Sequence, residues 1–247
     1  MIETDALNER QKQVLEIVAV SHIRSASPIG SGYVSRILDL SSATIRNVMG
    51  ELEDMGYISK PHTSAGRVPT TSGYRYYVRR LLRLKEISQE DRNFIETEYR
   101  RPASSVEAML DKVSHLLSVM TKQAGVACVS NLKFYIDGAS NMMDMPEFRS
   151  LERMKLLFRL FEEKRELMKL FEEDLDSEGV KIHIGEKDRF EMLGDMSLIT
   201  ANYRMKDREK GSLGIIGPMR MNYSVLIPLV DAVSASIEAA FDYMETL

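Results

Sequence analysis

The 247 residues carry 33 lysines and arginines against 37 acids, a formal net charge of −4, and allow one large domain or two small ones. With 44% hydrophobic and 28% charged residues, the composition excludes a disordered, collagen-like or wholly coiled-coil chain. No apolar run of membrane-spanning length is expected, and the N-terminus shows no secretory leader pattern, which predicts a cytoplasmic protein. The single Cys128 excludes an internal disulfide, and the scattered histidines predict no metal site and no cofactor.

Charge is distributed unevenly along the chain. Residues 1–85 contain 12 basic and 8 acidic residues, whereas residues 86–247 contain 21 and 29. The stretch Met55–Lys85 holds seven basic residues and no acid. Such a stretch on an acidic protein is typical of polyanion binding, although charge alone favours an ordinary solvated helix face.

Three short helices are predicted at the N-terminal end. The first spans about residues 8–24 with Asn8 as its N-cap, the second begins near Ser31, and the third is capped by Ser41 or Ser42. Two short helices joined by a tight turn form a helix-turn-helix, in which the start of the second helix meets base edges in the major groove. A three-helix module that binds protein is the alternative interpretation.

The exposed face of the third helix is predicted to read DNA bases. Its side chains are small and polar or forked: Ser41, Ser42, Thr44, Arg46 and Asn47. An arginine fork pairs with O6 and N7 of guanine, and an asparagine amide pairs with N6 and N7 of adenine, because their donors and acceptors match those edges.

A β-hairpin is predicted directly after this helix, from Tyr57–Lys60 and Arg67–Pro69. The side chains expected to reach the DNA backbone or the minor groove are Lys60, His62, Thr63, Ser64 and Arg67. The following amphipathic helix has a basic face that includes Arg75, Arg79 and Arg80, and its tyrosines are predicted to pack inward. Stacking tyrosines serve single strands, whereas this arrangement predicts a winged helix that binds duplex DNA.

The remaining chain is predicted to be α+β, with helices packed on a small antiparallel sheet. The predicted elements are helices at Glu90–Arg101 and Val106–Gln123, a long helix from Pro146 to about Asp176, a half-buried strand at 180–184, paired strands at Met196–Arg204 and Ser212–Gly217, and a last helix to about Phe241. The apolar stripe of the Val106–Gln123 helix fits either core packing or a dimer seam. The sequence shows no catalytic set of a nucleophile, a general base and a residue that orients the base, so the protein is not predicted to be an enzyme.

Long motifs at both ends resemble the heat-inducible transcription repressor family (HrcA). They are LSSATIRNVMGELEDMGYISKPHTSAGRVPTTSGYRYYV near the N-terminus, and NMMDMPEF, SLITANYR and GSLGIIGPMRMNYSVLIPLVD further on. The resemblance implies a winged helix-turn-helix in residues 1–85, a helical connector in 86–125 and a GAF-like domain in 126–247. It also implies a homodimer that binds an inverted-repeat operator of chaperone genes, with activity modulated by the chaperonin GroEL.

The middle of the chain departs from that family. Family members carry a long segment, including an inserted dimerisation domain, where VACVSNLKFYIDGASN of this chain passes straight across. We therefore expect a reduced GAF-like domain. Two other functions fit the same sequence: a regulator that responds to a small molecule bound by the GAF-like half, and a protein-partner module that no longer reads DNA.

Overall fold

The computed structural model describes residues 7–62, 65–99, 103–129, 133–185, 193–194, 196–205 and 210–244. It divides into two compact units, each with its own internal packing. The first unit comprises the chain up to Arg83 together with Met219–Tyr223. The second comprises Leu84–Pro218 and the chain from Ser224 onward.

The first unit is built from helices with one small hairpin. Its elements are α1 (Glu9–Ser25), α2 (Ser31–Leu38), α3 (Ser42–Asp54), β1 (Ile58–Ser59), β2 (Val68–Pro69), α4 (Thr71–Tyr76) and a π-helical turn (Tyr77–Leu81). The predicted cap of α1 is confirmed: the Asn8 side chain accepts from Gln11 N and Gln11 Oε1 accepts from Asn8 N, both at 2.9 Å. Apolar side chains of α1, α2 and α3 enclose the core of this unit.

A third segment of the chain pairs with the hairpin over a very short length, which the sequence did not predict. Strands β1 and β2 pair in antiparallel fashion, with Ile58 opposite Pro69. Ile29, just before α2, forms an antiparallel bridge to Arg67, with N–H to O distances of 2.8 Å in both directions. The segment between α1 and α2 therefore anchors the hairpin.

The second unit is a five-stranded sheet covered by helices. Its elements are α5 (Gln89–Tyr99), α6 (Val106–Thr121), β3 (Ala124–Val129), β4 (Lys133–Asp137), α7 (Ala139–Met143), a 3-10 turn (Pro146–Phe148), α8 (Leu151–Glu162), α9 (Lys164–Asp174), β5 (Lys181–Ile184), β6 (Met196–Arg204), β7 (Lys210–Pro218) and α10 (Tyr223–Met244). The strand order is β4-β3-β7-β6-β5, with every neighbouring pair antiparallel. The predicted α+β class is confirmed, and the architecture is consistent with a GAF-like domain.

Each face of this sheet is covered by a different set of helices. Alternate residues of β3, such as Val126 and Cys128, join one core with α7, α8 and α9. On the other face, Gly125 lies against the α6 backbone so closely that a Cβ would meet Ser114 O at 2.1 Å. α10 covers the same face further along, where Phe241 stacks on Tyr203 with ring centroids 5.7 Å apart.

One prediction for this unit is wrong, and one alternative left open by the sequence is decided. The single long helix from Pro146 is instead a 3-10 turn followed by α8 and α9, because the backbone leaves helical geometry at Glu163, where ψ is 57°. The stripe on α6, exemplified by Leu110 and Val113, lies fully buried inside the protomer. Since α6 packs on β3 and β4, its stripe serves the core and forms no dimer seam.

One helix contains a longer apolar stretch than the sequence analysis expected. Tyr223–Phe241 of α10 is long and apolar enough to cross a membrane, with a mean hydropathy of 1.6. Its inward side chains, including Val230, Val233 and Ile237, are completely buried. A core helix of this kind passes the same length and composition test, so its packing explains its composition.

Candidate nucleic-acid interface

The first half of α3 presents two forked polar side chains to solvent. The side chains of Arg46 and Asn47 are exposed and make no hydrogen bond or ion pair with any residue that the structure describes. The opposite side of the helix carries the apolar spacing of an amphipathic helix and is buried in the core: Ile45, Val48, Met49 and Leu52. Burial of that side fixes the direction in which Arg46 and Asn47 point.

Hydroxyl groups organise the beginning of α3. Ser41 is the N-cap, with its Oγ accepting from Thr44 N at 3.0 Å and lying 2.8 Å from Thr44 Oγ1. Ser42 Oγ lies 3.3 Å from Ser31 Oγ at the start of α2, which ties the two helix N-termini together. These serines and Thr44 are therefore positioned at the tip of α3 by local hydrogen bonds.

The turn between α2 and α3 is short because Asp39 adopts a left-handed conformation. Its φ is 51°, and its N–H closes the last turn of α2 by donating to Ser35 O. Only Asp39, Leu40 and Ser41 separate the two helices. The tight turn that the sequence predicted between these two helices is therefore present.

Two of the three acidic side chains on the second half of α3 are already engaged. Glu51 Oε2 accepts a hydrogen bond from Gln11 Nε2 at 2.8 Å. Glu53 Oε2 accepts from Arg67 Nε at 3.0 Å and lies 3.7 Å from Lys60 Nζ. Their negative charges are thus partly offset within the unit, which leaves the tip of α3 suited to an anionic partner.

The hairpin places the predicted contact residues in different environments. His62 is exposed, and the Lys60 side chain is 41% exposed. The Arg67 side chain is only 13% exposed and is held by Glu53, so it is not presented as the sequence predicted. The predicted contacts Thr63 and Ser64 lie outside the described residues.

The segment after the hairpin separates its arginines from its tyrosines. Tyr74 and Tyr77 are buried, and Tyr74 OH lies 2.6 Å from His22 Nδ1, so the predicted inward packing is confirmed. Arg79 is exposed and has no partner among the described residues. Arg75 is half-buried and Arg80 is exposed, and each of these two also interacts with other groups of the chain.

Sequence reasoning missed the role of Glu53. The structure places its carboxylate against the two cations of the hairpin. The available signal was charge: Lys60 and Arg67 follow the last acids of α3 in a stretch that contains no other acid.

One group of polar side chains in the second unit is buried and held together by hydrogen bonds. Asp174 Oδ2, at the end of α9, accepts from His183 Nε2 and from Thr200 Oγ1, each at 2.7 Å. Burial alone would raise the pKa of Asp174, but these hydrogen bonds and the positive charges of His183 and Lys181 outweigh it and hold that pKa below its ordinary value. This Asp174 cluster fastens α9 to β5 and β6.

Two further features of this unit concern a cysteine and a glycine-containing stretch. Burial raises the pKa of the Cys128 thiol to about 12, which keeps the thiol protonated and unreactive. The glycine-containing GSLGIIGP stretch is strand β7, as predicted. No group of side chains able to hold a metal ion occurs in the part of the chain that the structure describes.

Comparison with known proteins identifies the family. Residues 79–227, more than half of the chain, match the model of the HrcA protein C-terminal domain. The chain belongs to the HrcA family of heat-inducible transcription repressors. The recognition made from the sequence motifs is thereby confirmed.

Curated HrcA relatives match nearly the whole chain. The heat-inducible transcription repressor HrcA of Geobacter sulfurreducens is 29% identical, with 91% of this chain and 95% of the relative covered. That of Methylococcus capsulatus is 29% identical, with 96% of each covered, and that of Desulforamulus reducens is 26% identical, with 96% and 97% covered. The alignments run over 326 to 338 positions, more than the 247 residues here, so these HrcA proteins contain residues that this chain lacks.

A solved structure shares the fold. The crystal structure of a hypothetical protein at 2.2 Å resolution matches with a TM-score of 0.73 and 18% sequence identity, covering 96% of this chain and 98% of that one. The arrangement of helices and strands described above is therefore one that occurs in a solved protein.

Proposed function

We propose that this HrcA family member represses heat-shock chaperone genes by binding an inverted-repeat operator in duplex DNA. The observation that carries the proposal is the exposed, unpartnered pair Arg46 and Asn47 on the first half of α3. The order of α2, α3 and the β1–β2 hairpin along the chain supports a winged helix-turn-helix. Relatives named as transcription repressors support the same conclusion.

Each part of the first unit has a distinct role in this proposal. The tip of α3 enters the major groove, where Arg46 suits guanine and Asn47 suits adenine. Lys60 and His62 on the hairpin, and Arg79 after it, lie on exposed surface and contact the sugar–phosphate backbone. Base contacts provide the sequence preference, whereas backbone contacts provide affinity that is independent of sequence.

An inverted repeat requires a protein with matching two-fold symmetry. We therefore propose a homodimer, in which each copy of α3 reads one half-site. The α6 stripe is excluded as its seam because those side chains are buried within the protomer. Sedimentation at micromolar concentrations and above should show a dimer, and a single 28 kDa species would contradict this part of the proposal.

Chaperonin dependence explains how such a repressor could respond to heat. If the repressor needs GroEL to stay active in the cytoplasm, unfolded clients that accumulate on heating compete for the chaperonin and derepress the genes. The relatives are named heat-inducible repressors, which fits this scheme. Adding GroEL should raise the fraction of repressor that binds operator DNA, and no effect at any temperature would remove GroEL from the proposal.

The central experiment measures discrimination between sequences. Labelled inverted-repeat duplex and a scrambled duplex of equal composition are titrated at two salt concentrations. Arg46→Ala and Asn47→Ala should each reduce discrimination by about 1–3 kcal/mol for the base pair contacted. Arg92→Ala, which removes an exposed arginine of the second unit, is the matched control and should leave discrimination unchanged.

The same experiment tests the alternative of a protein-partner module. That function requires no base readout, so neither α3 variant would alter discrimination. The small-molecule alternative predicts instead that a compound shifts the melting temperature or the DNA affinity. Unchanged discrimination in both α3 variants would overturn the proposal that α3 reads bases.

A further inference from the structure

The carboxylate of Glu53 joins the end of α3 to both cations of the hairpin. Arg67 reaches its Oε2 with two nitrogens, Nε at 3.0 Å and Nη2 at 2.8 Å. Lys60 Nζ lies 3.7 Å from the same oxygen. The Arg67 contact is short and directional, whereas the Lys60 contact is longer and involves a more exposed side chain.

The backbone of Arg67 is fixed as firmly as its side chain. Its N–H donates to Ile29 O and its carbonyl accepts from Ile29 N, each at 2.8 Å. The preceding Gly66 lies so close to this segment that a Cβ would stand 2.5 Å from both the carbonyl carbon and the oxygen of Ile29. Arg67 therefore connects three elements: the hairpin, the segment before α2, and, through Glu53, the end of α3.

We propose that Glu53 and Arg67 are positioning residues that hold the hairpin at the angle to α3 required for sequence-specific DNA binding, without contacting DNA themselves. This inference rests on the proposed function of the α3 face. It replaces the sequence prediction that Arg67 touches DNA, because a side chain 13% exposed and held at 2.8 Å by a carboxylate is poorly placed to reach phosphate.

Lys60 and Arg67 therefore have different roles in the hairpin. Lys60 is 41% exposed, and its long contact with Glu53 is easily exchanged for a phosphate oxygen. Arg67 keeps its carboxylate partner whether DNA is present or absent. The fixed Arg67 pair sets the geometry, and the exchangeable Lys60 supplies the backbone contact.

The two possible roles of Arg67 make opposite predictions for Glu53→Gln. The variant removes one negative charge close to the proposed interface. On charge alone, its affinity for any duplex should therefore stay the same or rise. If Arg67 positions the hairpin, operator affinity should nevertheless fall by about tenfold, since paired groups of this kind couple strongly. If Arg67 were a direct contact restrained by Glu53, releasing it would raise operator affinity.

Asp54→Asn is the matched control for Glu53→Gln. Asp54 is the adjacent exposed acid and has no partner among the described residues, so its removal changes charge equally without touching the pair. The charge-swapped variant Glu53→Arg with Arg67→Glu provides a second test. It keeps the net charge and can re-form the pair, so a positioning role predicts recovered operator affinity, whereas a direct Arg67 contact predicts none.

The probe is a duplex that the wild-type full chain enriches from a randomised pool, compared with its scrambled form. If the wild-type chain enriches no sequence, the proposed function itself fails, and this inference fails with it. If the wild-type chain discriminates but Glu53→Gln binds like Asp54→Asn, only the positioning inference is overturned. Thermal melting of each variant accompanies the titrations, and when the swapped protein does not fold, the Glu53→Gln and Asp54→Asn pair alone decides the outcome.

Discussion

Two sets of polar side chains, one in each unit, lie in opposite environments. In the first, Arg46 and Asn47 face solvent without partners among the described residues. In the second, Asp174, His183 and Thr200 are buried and hydrogen-bond to one another. A buried polar group destabilises the fold unless it is paired, whereas an exposed one is solvated and stays available to a ligand. This contrast supports the proposal that the helical unit carries DNA recognition, and it assigns the Asp174 cluster of the sheet unit to stability.

The largest effect should come from the apolar interior of the sheet unit. Leu198 on β6 is completely buried in the core shared with α8 and α9. Leu198→Ala should lower the free energy of unfolding by about 2–5 kcal/mol, because it removes apolar contacts and leaves a cavity. Urea denaturation followed by circular dichroism measures the change.

A surface leucine of the same unit supplies the control for Leu198. Leu151 on α8 is 70% exposed, so Leu151→Ala should change the free energy of unfolding by no more than about 0.5 kcal/mol. Equal destabilisation by the two variants would contradict the placement of the core.

The Asp174 cluster should give the next largest effect. Asp174→Asn should cost about 1–3 kcal/mol near neutral pH, because His183 and Thr200 lose a charged acceptor. Since the pKa of Asp174 is lowered on folding, its contribution is fully present above the ordinary value of 3.8 and is lost as the pH falls through the folded value. Denaturation curves collected across this range should therefore converge for wild type and variant at low pH.

Asp144→Asn is a suitable control for that titration. Asp144 is exposed and has no partner among the described residues, so this variant should follow the wild-type curve throughout. A constant gap between wild type and Asp174→Asn below pH 3.8 would show that the carboxylate charge of Asp174 does not carry the effect.

Helix caps allow stability and recognition to be separated within the first unit. Ser41→Ala and Asn8→Ala each remove an N-cap hydrogen bond and should each cost about 1 kcal/mol of unfolding free energy. Only Ser41 lies on the proposed interface, so only its variant should also reduce operator discrimination in the duplex titration. A comparable loss of discrimination in Asn8→Ala would mean that general stability governs binding.

The smallest effect should be that of a single backbone contact. Arg79→Ala should weaken binding to operator and scrambled duplex alike, and should reduce the slope of log affinity against log salt by about one. Fluorescence anisotropy over a salt series measures both quantities, with Arg92→Ala as the reference. A loss confined to the operator would reassign Arg79 to base readout.

Local signals made much of the fold predictable. The Asn8 cap fixes the start of α1, and the Ser41 cap fixes that of α3. Two apolar runs on either side of a charged stretch indicate the β6–β7 pair. The exposed face of α3 was predictable for the same reason, since the spacing of its buried residues determines which side is free.

Features that depend on distant contacts were not predictable from these signals. No glycine or proline marks the break between α8 and α9 at Glu163. The position of the break is set instead by the packing of these two helices on the sheet. The burial of His183 depends on its contact with Asp174, nine residues earlier in the chain on α9. The Arg67 partners lie 14 residues away at Glu53 and far upstream at Ile29, beyond the reach of local periodicity.

The register of β3 and β4 has a consequence for the evolution of this family. Val129 and Lys133 are paired across the ladder, so the sheet itself holds the two strand ends together. The entropic cost of joining such ends rises only with the logarithm of the connecting length. Whole domains can therefore be inserted or deleted between these two residues while the strands keep their neighbours. The connection between β3 and β4 is thus also a practical site for inserting a reporter domain.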